Sequence, residues 1–217
     1  MAPTRYQPVT HVIFDVDGLL LDTEVLFTEA HQKALSHFGK QFTWELKQQM
    51  MGRTNAEAMA VLLAETGLAA EGVSYEDYDA VYGKLIPQLF PHARLLPGAE
   101  RLVRHLHRHK VPIAICTGSS KWSFGIKTTN HGELVALFQP VVLASDDPDV
   151  GRGKPHPDCF EDAPNGVEAA LAARMQVVMV PDSRVEASIR ERATLALESL
   201  TEFDPQLFGL PPFPTDS

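Results

Sequence analysis

Val12-Ile13-Phe14-Asp15-Val16-Asp17-Gly18 is the stretch on which the reading of the fold rests. The run from Thr10 to Phe14 is short, apolar and β-branched, and it stops at two carboxylates. Near-continuous apolar runs of this length suit strands of a parallel sheet buried on both faces. Four more follow: Pro112-Ile113-Ala114-Ile115-Cys116, Pro140-Val141-Val142-Leu143, Val177-Val178-Met179-Val180 and a weaker Thr194-Leu195-Ala196-Leu197. Helical patterns lie between them. Pro97 and Gly98 open a segment with Ala99, Leu102, Val103 and Leu106 on one face, and Asn165-Gly166-Val167-Glu168 reads as a capping box with Val167, Ala170 and Leu171 behind it. Strand alternating with helix predicts an α/β fold around a parallel sheet.

Residues 22–96 break the alternation with helices and no convincing strand. Val25, Leu26, Ala30 and Ala34 make one apolar stripe. Thr54-x-x-Glu57 caps a second helix through Ala58, Val61 and Leu62, and Tyr75, Tyr78, Tyr82 and Leu85 line a third. This block predicts a small helical domain inserted between residues 1–21 and 97–217.

Composition narrows the function classes. The 44% hydrophobic and 22% charged content excludes wholesale disorder and collagen-like architecture. No run reaches the ~18 apolar residues of a membrane span, and Met1 to Pro8 has no apolar stretch of a secretory signal. Cys116 and Cys159 are too few for a disulfide scaffold, so a cytoplasmic location is expected. With 19 basic against 28 acidic residues the net charge is −9, and there is no basic run. That argues against a nucleic-acid polymer as partner. Any phosphate handled here is small and held by local chemistry.

Asp15 and Asp17 stand at the carboxyl end of the first strand, the edge where open α/β sheets bind ligands. Two carboxylates this close repel unless a cation sits between them, and oxygen ligands suit Mg²⁺. Taken alone, Asp-x-Asp-Gly also fits a charged loop. Three features add to it. Thr117, with Gly118, Ser119 and Ser120 behind it, ends the second strand with a hydroxyl and backbone N–H groups that suit phosphate oxygens. Lys154 supplies a point charge for phosphate. Glu161-Asp162 adds carboxylates just before a helix.

With Asp15-Val16-Asp17-Gly18, Thr117, Lys154 and Glu161-Asp162 in this order, the chain resembles the haloacid dehalogenase-like phosphohydrolases. The likeness is greatest to the branch that dephosphorylates pseudouridine 5′-phosphate. It runs through Pro8-Val9-Thr10-His11, Gly18 to Glu24, Pro97-Gly98-Ala99-Glu100, Glu161 to Leu171, Gln176 to Asp182 and Leu207 to Pro211. The resemblance implies a Rossmann-like core, residues 1–21 and 97–217, with 22–96 as an α-helical cap. It implies Asp15 as nucleophile, forming an aspartyl-phosphate, and Asp17 as the acid that protonates the leaving alcohol and the base that then activates water. Asp15, the carbonyl of Asp17 and Asp162 would hold Mg²⁺, with Glu161 orienting a metal-bound water. Thr117, Gly118 and Lys154 would hold the phosphoryl oxygens. Gly52-Arg53 is either the cap's substrate loop or an exposed helix start. The implied activity is a Mg²⁺-dependent phosphomonoesterase acting on a small phosphorylated metabolite. A sugar phosphomutase or sugar phosphatase is the alternative within the family. The mutase branch carries a histidine where this chain has Phe27, and His31 lies one turn later, which favours hydrolysis.

Between Lys154 and Glu161 the chain departs from that family. Only Pro155-His156-Pro157-Asp158-Cys159-Phe160 intervenes, too short for a crossover helix and a strand. By resemblance about twenty residues are missing, including the strand beside the one that ends at Asp15. Either another segment, with Val177–Val180 as the candidate, moves into the vacancy, or the sheet stays open and the chain tends to aggregate. A less stable and catalytically impaired or inactive chain is the expected consequence.

Other motifs carry less. His105 and His109 share a helix face without an evident third ligand and are expected on a solvated surface. Cys116 and the tyrosines of 22–96 are expected in cores. Gly151-Arg152-Gly153-Lys154-Pro155 lacks the spacing of a Walker loop.

Overall fold

The computed structural model describes residues 5–51, 55–147, 164–182, 184–185 and 187–214. The chain falls into two compact units, Met1–Asp22 with Arg94–Ser217, and Thr23–Ala93.

In the first unit, β1 (Val12–Phe14), β2 (Ile113–Thr117) and β3 (Val141–Leu143) form a parallel sheet in the order β1-β2-β3. Val12 pairs with Ile113 and Phe14 with Ile115, and Ile115 pairs with Val141. β1 and β3 are shorter than the apolar runs that predict them, and β2 is as long as its run but begins one residue later; Pro112 and Pro140, which have no N–H for the ladder, stand just before β2 and β3. The core gathers Phe14, Ile113 and Ile115 with Leu102, Val103 and Leu106, all buried. The rings of Phe14 and Phe138 meet edge to face at 5.6 Å. A second parallel pair, β4 (Val178–Met179) with β5 (Leu195–Ala196), is a separate sheet. Val177–Val180 therefore does not fill the place beside β1. Among the described residues β1 is an edge strand, and Ile13, between buried Phe14 and half-buried Val12, is 42% exposed. Among the described residues no strand pairs with β1 on that side.

The helices of the second unit are α1 (Glu24–His37), α2 (Trp44–Met50), α3 (Asn55–Glu65) and α4 (Tyr75–Leu89). They enclose Ala34, Leu35, Leu46, Met50, Met59, Leu62, Leu63, Leu68 and Tyr78. Ser74 caps α4 in a capping box with Asp77, and those bonds hold the exposed Asp77 carboxyl below its usual range. Two details of the sequence reading change. Val25 is 59% exposed, and the buried face of α1 is Ala30, His31, Ala34 and Leu35. Tyr75 is exposed while Tyr78 is buried.

The described helices of the first unit are α5 (Ala99–Arg108), α6 (Lys121–Lys127), α7 (Gly132–Val135), α8 (Pro164–Ala172) and α9 (Ala187–Arg190). Helix α8 starts at Pro164, so Asn165 stands in its first turn and is not its cap, the fixed φ of proline suiting the first helical position. Before α5, Gly98 adopts φ +87°, and a Cβ there would lie 2.6 Å from the Leu200 carbonyl carbon. Only glycine fits that contact.

The open edge sets an expectation for stability. Ile13→Thr should cost less than about 1 kcal/mol, as at an exposed site. Ile115→Ala, in the buried centre of β2, should cost about 2–5 kcal/mol. Urea unfolding of the two variants measures both. Equal losses would mean that the outer side of β1 is covered.

Candidate active site

The register of β1 against β2 builds the site. Phe14 lies opposite Ile115, so Asp15 continues level with Cys116, and Thr117 ends β2 one residue further. Both strands therefore deliver their next residues to the same sheet edge. Beyond Asp15 the chain turns sharply. The Val16 carbonyl accepts from the N–H groups of Leu20 (3.1 Å) and Leu21 (2.9 Å), and Gly18, at φ +73°, donates its own N–H to the Leu21 carbonyl. The chain then leaves along Leu20–Asp22, paired with Arg94–Leu96 through Leu96 N–H to the Leu20 carbonyl and Asp22 N–H to the Arg94 carbonyl.

Asp15 is buried, and its Oδ1 accepts from the Val16 N–H at 2.6 Å. Thr117 is buried as well, and its Oγ1 accepts from the Ser119 N–H at 3.2 Å. The Gly118 carbonyl accepts from the Ser145 hydroxyl at 2.6 Å, which fixes that peptide's orientation. Ser119 donates its hydroxyl to Asp17 Oδ2 at 2.8 Å. The Lys127 ammonium lies 2.8 Å from Asp17 Oδ1, 2.9 Å from Oδ2 and 2.8 Å from Ser119 Oγ. Asp15, Asp17, Thr117, Gly118 and Ser119 thus form one cluster. Lys127, which no motif indicated, is its buried cation. Its sequence signal is slight: it stands seven residues after Ser120, the N-cap of α6, and so on the same helix face.

The donors at this edge suit Mg²⁺ in kind, because Asp15 and Asp17 offer only hard oxygens. The Asp17 side chain is engaged by Lys127 and Ser119. Among the described residues no third acidic or imidazole side chain completes a metal cluster. Lys154, Glu161, Asp162, Gly52 and Arg53 lie outside the described residues.

His31 is not available for chemistry. Its Nδ1 meets the Tyr78 hydroxyl at 2.8 Å, and its ring stacks on Phe42 and Tyr82. Burial, and then the nearby Lys47 charge, lower its pKa to about 3, and burial pushes the Tyr78 phenol far upward. His105 reverses the surface expectation. It is 0% exposed, and its Nε2 meets the Pro211 carbonyl at 2.9 Å, because the C-terminal segment covers that face of α5. Cys116 is a buried core residue.

The profile of the haloacid dehalogenase-like hydrolases matches residues 12–188. The chain belongs to that family. It is 43% identical to (DL)-glycerol-3-phosphatase 2 of Arabidopsis thaliana over 94% of this chain and 93% of the relative. It is 42% identical to the probable pseudouridine-5′-phosphatase of Drosophila melanogaster over 98% of this chain and 99% of the relative. Its named relatives being phosphatases, the chain is by class a phosphoric monoester hydrolase acting on a small phosphorylated substrate. The fly alignment spans 232 positions, of which 98% of a 217-residue chain supplies about 213, so about nineteen have no counterpart here. That equals in size the shortening read between Lys154 and Glu161. The fold is shared with a haloacid dehalogenase family hydrolase of Deinococcus radiodurans solved with phosphate and sodium. The TM-score is 0.72 at 24% identity, covering 93% of this chain and 96% of the other. No helix among the described residues is long and apolar enough to cross a membrane.

The buried His31 makes a pH prediction. Folded, it takes a proton only near pH 3; unfolded, near its ordinary 6.5. Between the two the unfolded state binds more protons, so this stability is complete above about pH 6.5 and is lost as pH falls toward about 3. The difference is on the order of 5 kcal/mol. Proton NMR should show His31 ring signals that do not move from about pH 8 to 5. A titration near pH 6.5 would mean that the imidazole is reachable by water.

Proposed function

We propose that this chain is a Mg²⁺-dependent phosphomonoesterase whose substrate is pseudouridine 5′-phosphate and whose nucleophile is Asp15. The observation that supports it is the meeting of Asp15 and Asp17 with Thr117 and Gly118 at the carboxyl edge of two paired parallel strands. In this reading an Asp15 carboxylate oxygen attacks phosphorus in line. Asp17 gives a proton to the departing alcohol oxygen, then takes one from the water that cleaves the acyl phosphate. Thr117, the Gly118 N–H and Lys154 hold the phosphoryl oxygens as charge redistributes. Asp15, the Asp17 carbonyl and Asp162 are the proposed Mg²⁺ ligands, with Glu161 orienting a water. When bound, the ion neutralises carboxylate and phosphate charge that would otherwise repel. Residues 22–96 act as the cap that selects the leaving group, with Gly52 and Arg53 in its substrate loop. On this reading the protein works in the cytoplasm on a small phosphorylated metabolite.

The plant relative's name supports a second substrate, glycerol 3-phosphate, at nearly equal identity. The buried neutral His31 speaks against a mutase, which needs a proton-transferring group in that region. The edge position of β1 supports reduced turnover, since a ~1 Å misplacement of a reacting group can cost ~100-fold.

Phosphate release from pseudouridine 5′-phosphate, glycerol 3-phosphate and hexose phosphates, with Mg²⁺ and after chelation, tests the reading. We expect metal-dependent turnover with pseudouridine 5′-phosphate preferred, and Asp15→Asn should abolish it without lowering the thermal midpoint. Wild-type turnover in Asp15→Asn would refute the nucleophile. Inserting a relative's segment between Phe160 and Glu161 should raise both melting temperature and rate. No gain in either would show the shortening to be harmless.

A further inference from the structure

Lys127 is 2% exposed, at the end of a helix whose first residues, Lys121 and Trp122, face solvent. Burying an ammonium is costly unless it is paired and hydrogen-bonded. Here both conditions are met by one carboxylate and one hydroxyl. A single donor close to both oxygens of Asp17 fixes the plane of the carboxylate. The Ser119 hydroxyl, which accepts from Lys127 and donates to Oδ2, fixes its rotation about the side chain. Ser119 in turn donates its N–H to Thr117 Oγ1. One chain of bonds thus ties the orientation of Asp17 to the loop after β2.

We propose that Lys127, with Ser119, is a positioning residue that aims the Asp17 carboxyl at the leaving-group oxygen and at the attacking water. This rests on the phosphatase reading, with Asp17 as the proton-transferring group. A role through Asp17 differs from a role in holding phosphate. In kcat/KM, which reports the steps up to formation of the aspartyl-phosphate and so not the later attack of water, a misaimed acid harms substrates that need their leaving oxygen protonated and spares those that do not. Loss of a phosphate-holding cation harms both alike.

The experiment compares wild type, Lys127→Met, Lys127→Arg and Ser119→Ala, as full chains with Mg²⁺. One substrate has an alkoxide leaving group, pseudouridine 5′-phosphate or glycerol 3-phosphate, and the other is p-nitrophenyl phosphate. For Lys127→Met we expect kcat/KM for the alkyl phosphate to fall about 100-fold, the range of a general acid's contribution. The aryl phosphate should fall less than about 5-fold. Lys127→Arg should recover part of the loss, and Ser119→Ala should show the same split, smaller, even if Lys127→Met fails to fold. Equal losses on both substrates would overturn the proposal. Crystal structures of wild type and either variant give a readout independent of turnover: an Asp17 carboxylate in the same orientation in both would also overturn it. If wild type hydrolyses neither substrate, the phosphatase reading fails, and the two structures still decide what Lys127 and Ser119 hold in place.

Discussion

The parallel pairing of Val12, Ile13 and Phe14 with Ile113, Ala114 and Ile115 is the constraint on which the rest of the structure depends. Asp15 and Thr117 are far apart in sequence, and only this register brings them to one edge. The pairing is short, and it is held mainly from one side. Phe14 and Ile115 are buried under α5 and Phe138, whereas Ile13 remains substantially in water. A three-residue ladder in which one apolar side chain stays exposed is a slender support for the buried Asp15 and the half-buried Asp17. Inter-strand bonds contribute only about 1 kcal/mol each, so side-chain burial carries most of the load.

That geometry explains why electrostatics concentrates where it does. Asp15 is stabilised by the next peptide's N–H and Asp17 by an ammonium and a hydroxyl. Both carboxyl groups thereby have hydrogen-bond partners within the same unit. The helical unit has its own polar pair, His31 with Tyr78, which is kept neutral by burial. The two pairs differ in kind. The first keeps charge at an edge where ligands bind in α/β folds. The second removes charge from a packed interior and gives that unit's packing a specific register.

Much of this was legible in the chain. The apolar runs located the five strands of the described residues, and the aspartate loop, Thr117 and Gly118 met at one edge because strand ends are readable from hydrophobic pattern alone. The helical character of 22–96 followed from its periodicity. What escaped depends on three-dimensional neighbours. Lys127 looked like any helix-end lysine until Asp17, more than a hundred residues earlier, stood beside it. His105 looked solvated because the covering segment, around Pro211 and Phe213, is equally remote. Val25 fits an apolar stripe by spacing, but α1 buries a face turned away from it. The place of β4 beside β5 was likewise undecidable from runs that could pair with either neighbour.

The most direct measurement is peptide mapping after acid quench of a single turnover with labelled pseudouridine 5′-phosphate and Mg²⁺. The predicted result is a transient phosphoryl group on the peptide that holds Asp15, formed before free phosphate and lost as phosphate appears. Phosphate released with no labelled peptide at any time, or label carried by a peptide lacking Asp15, would contradict a reaction through this aspartate.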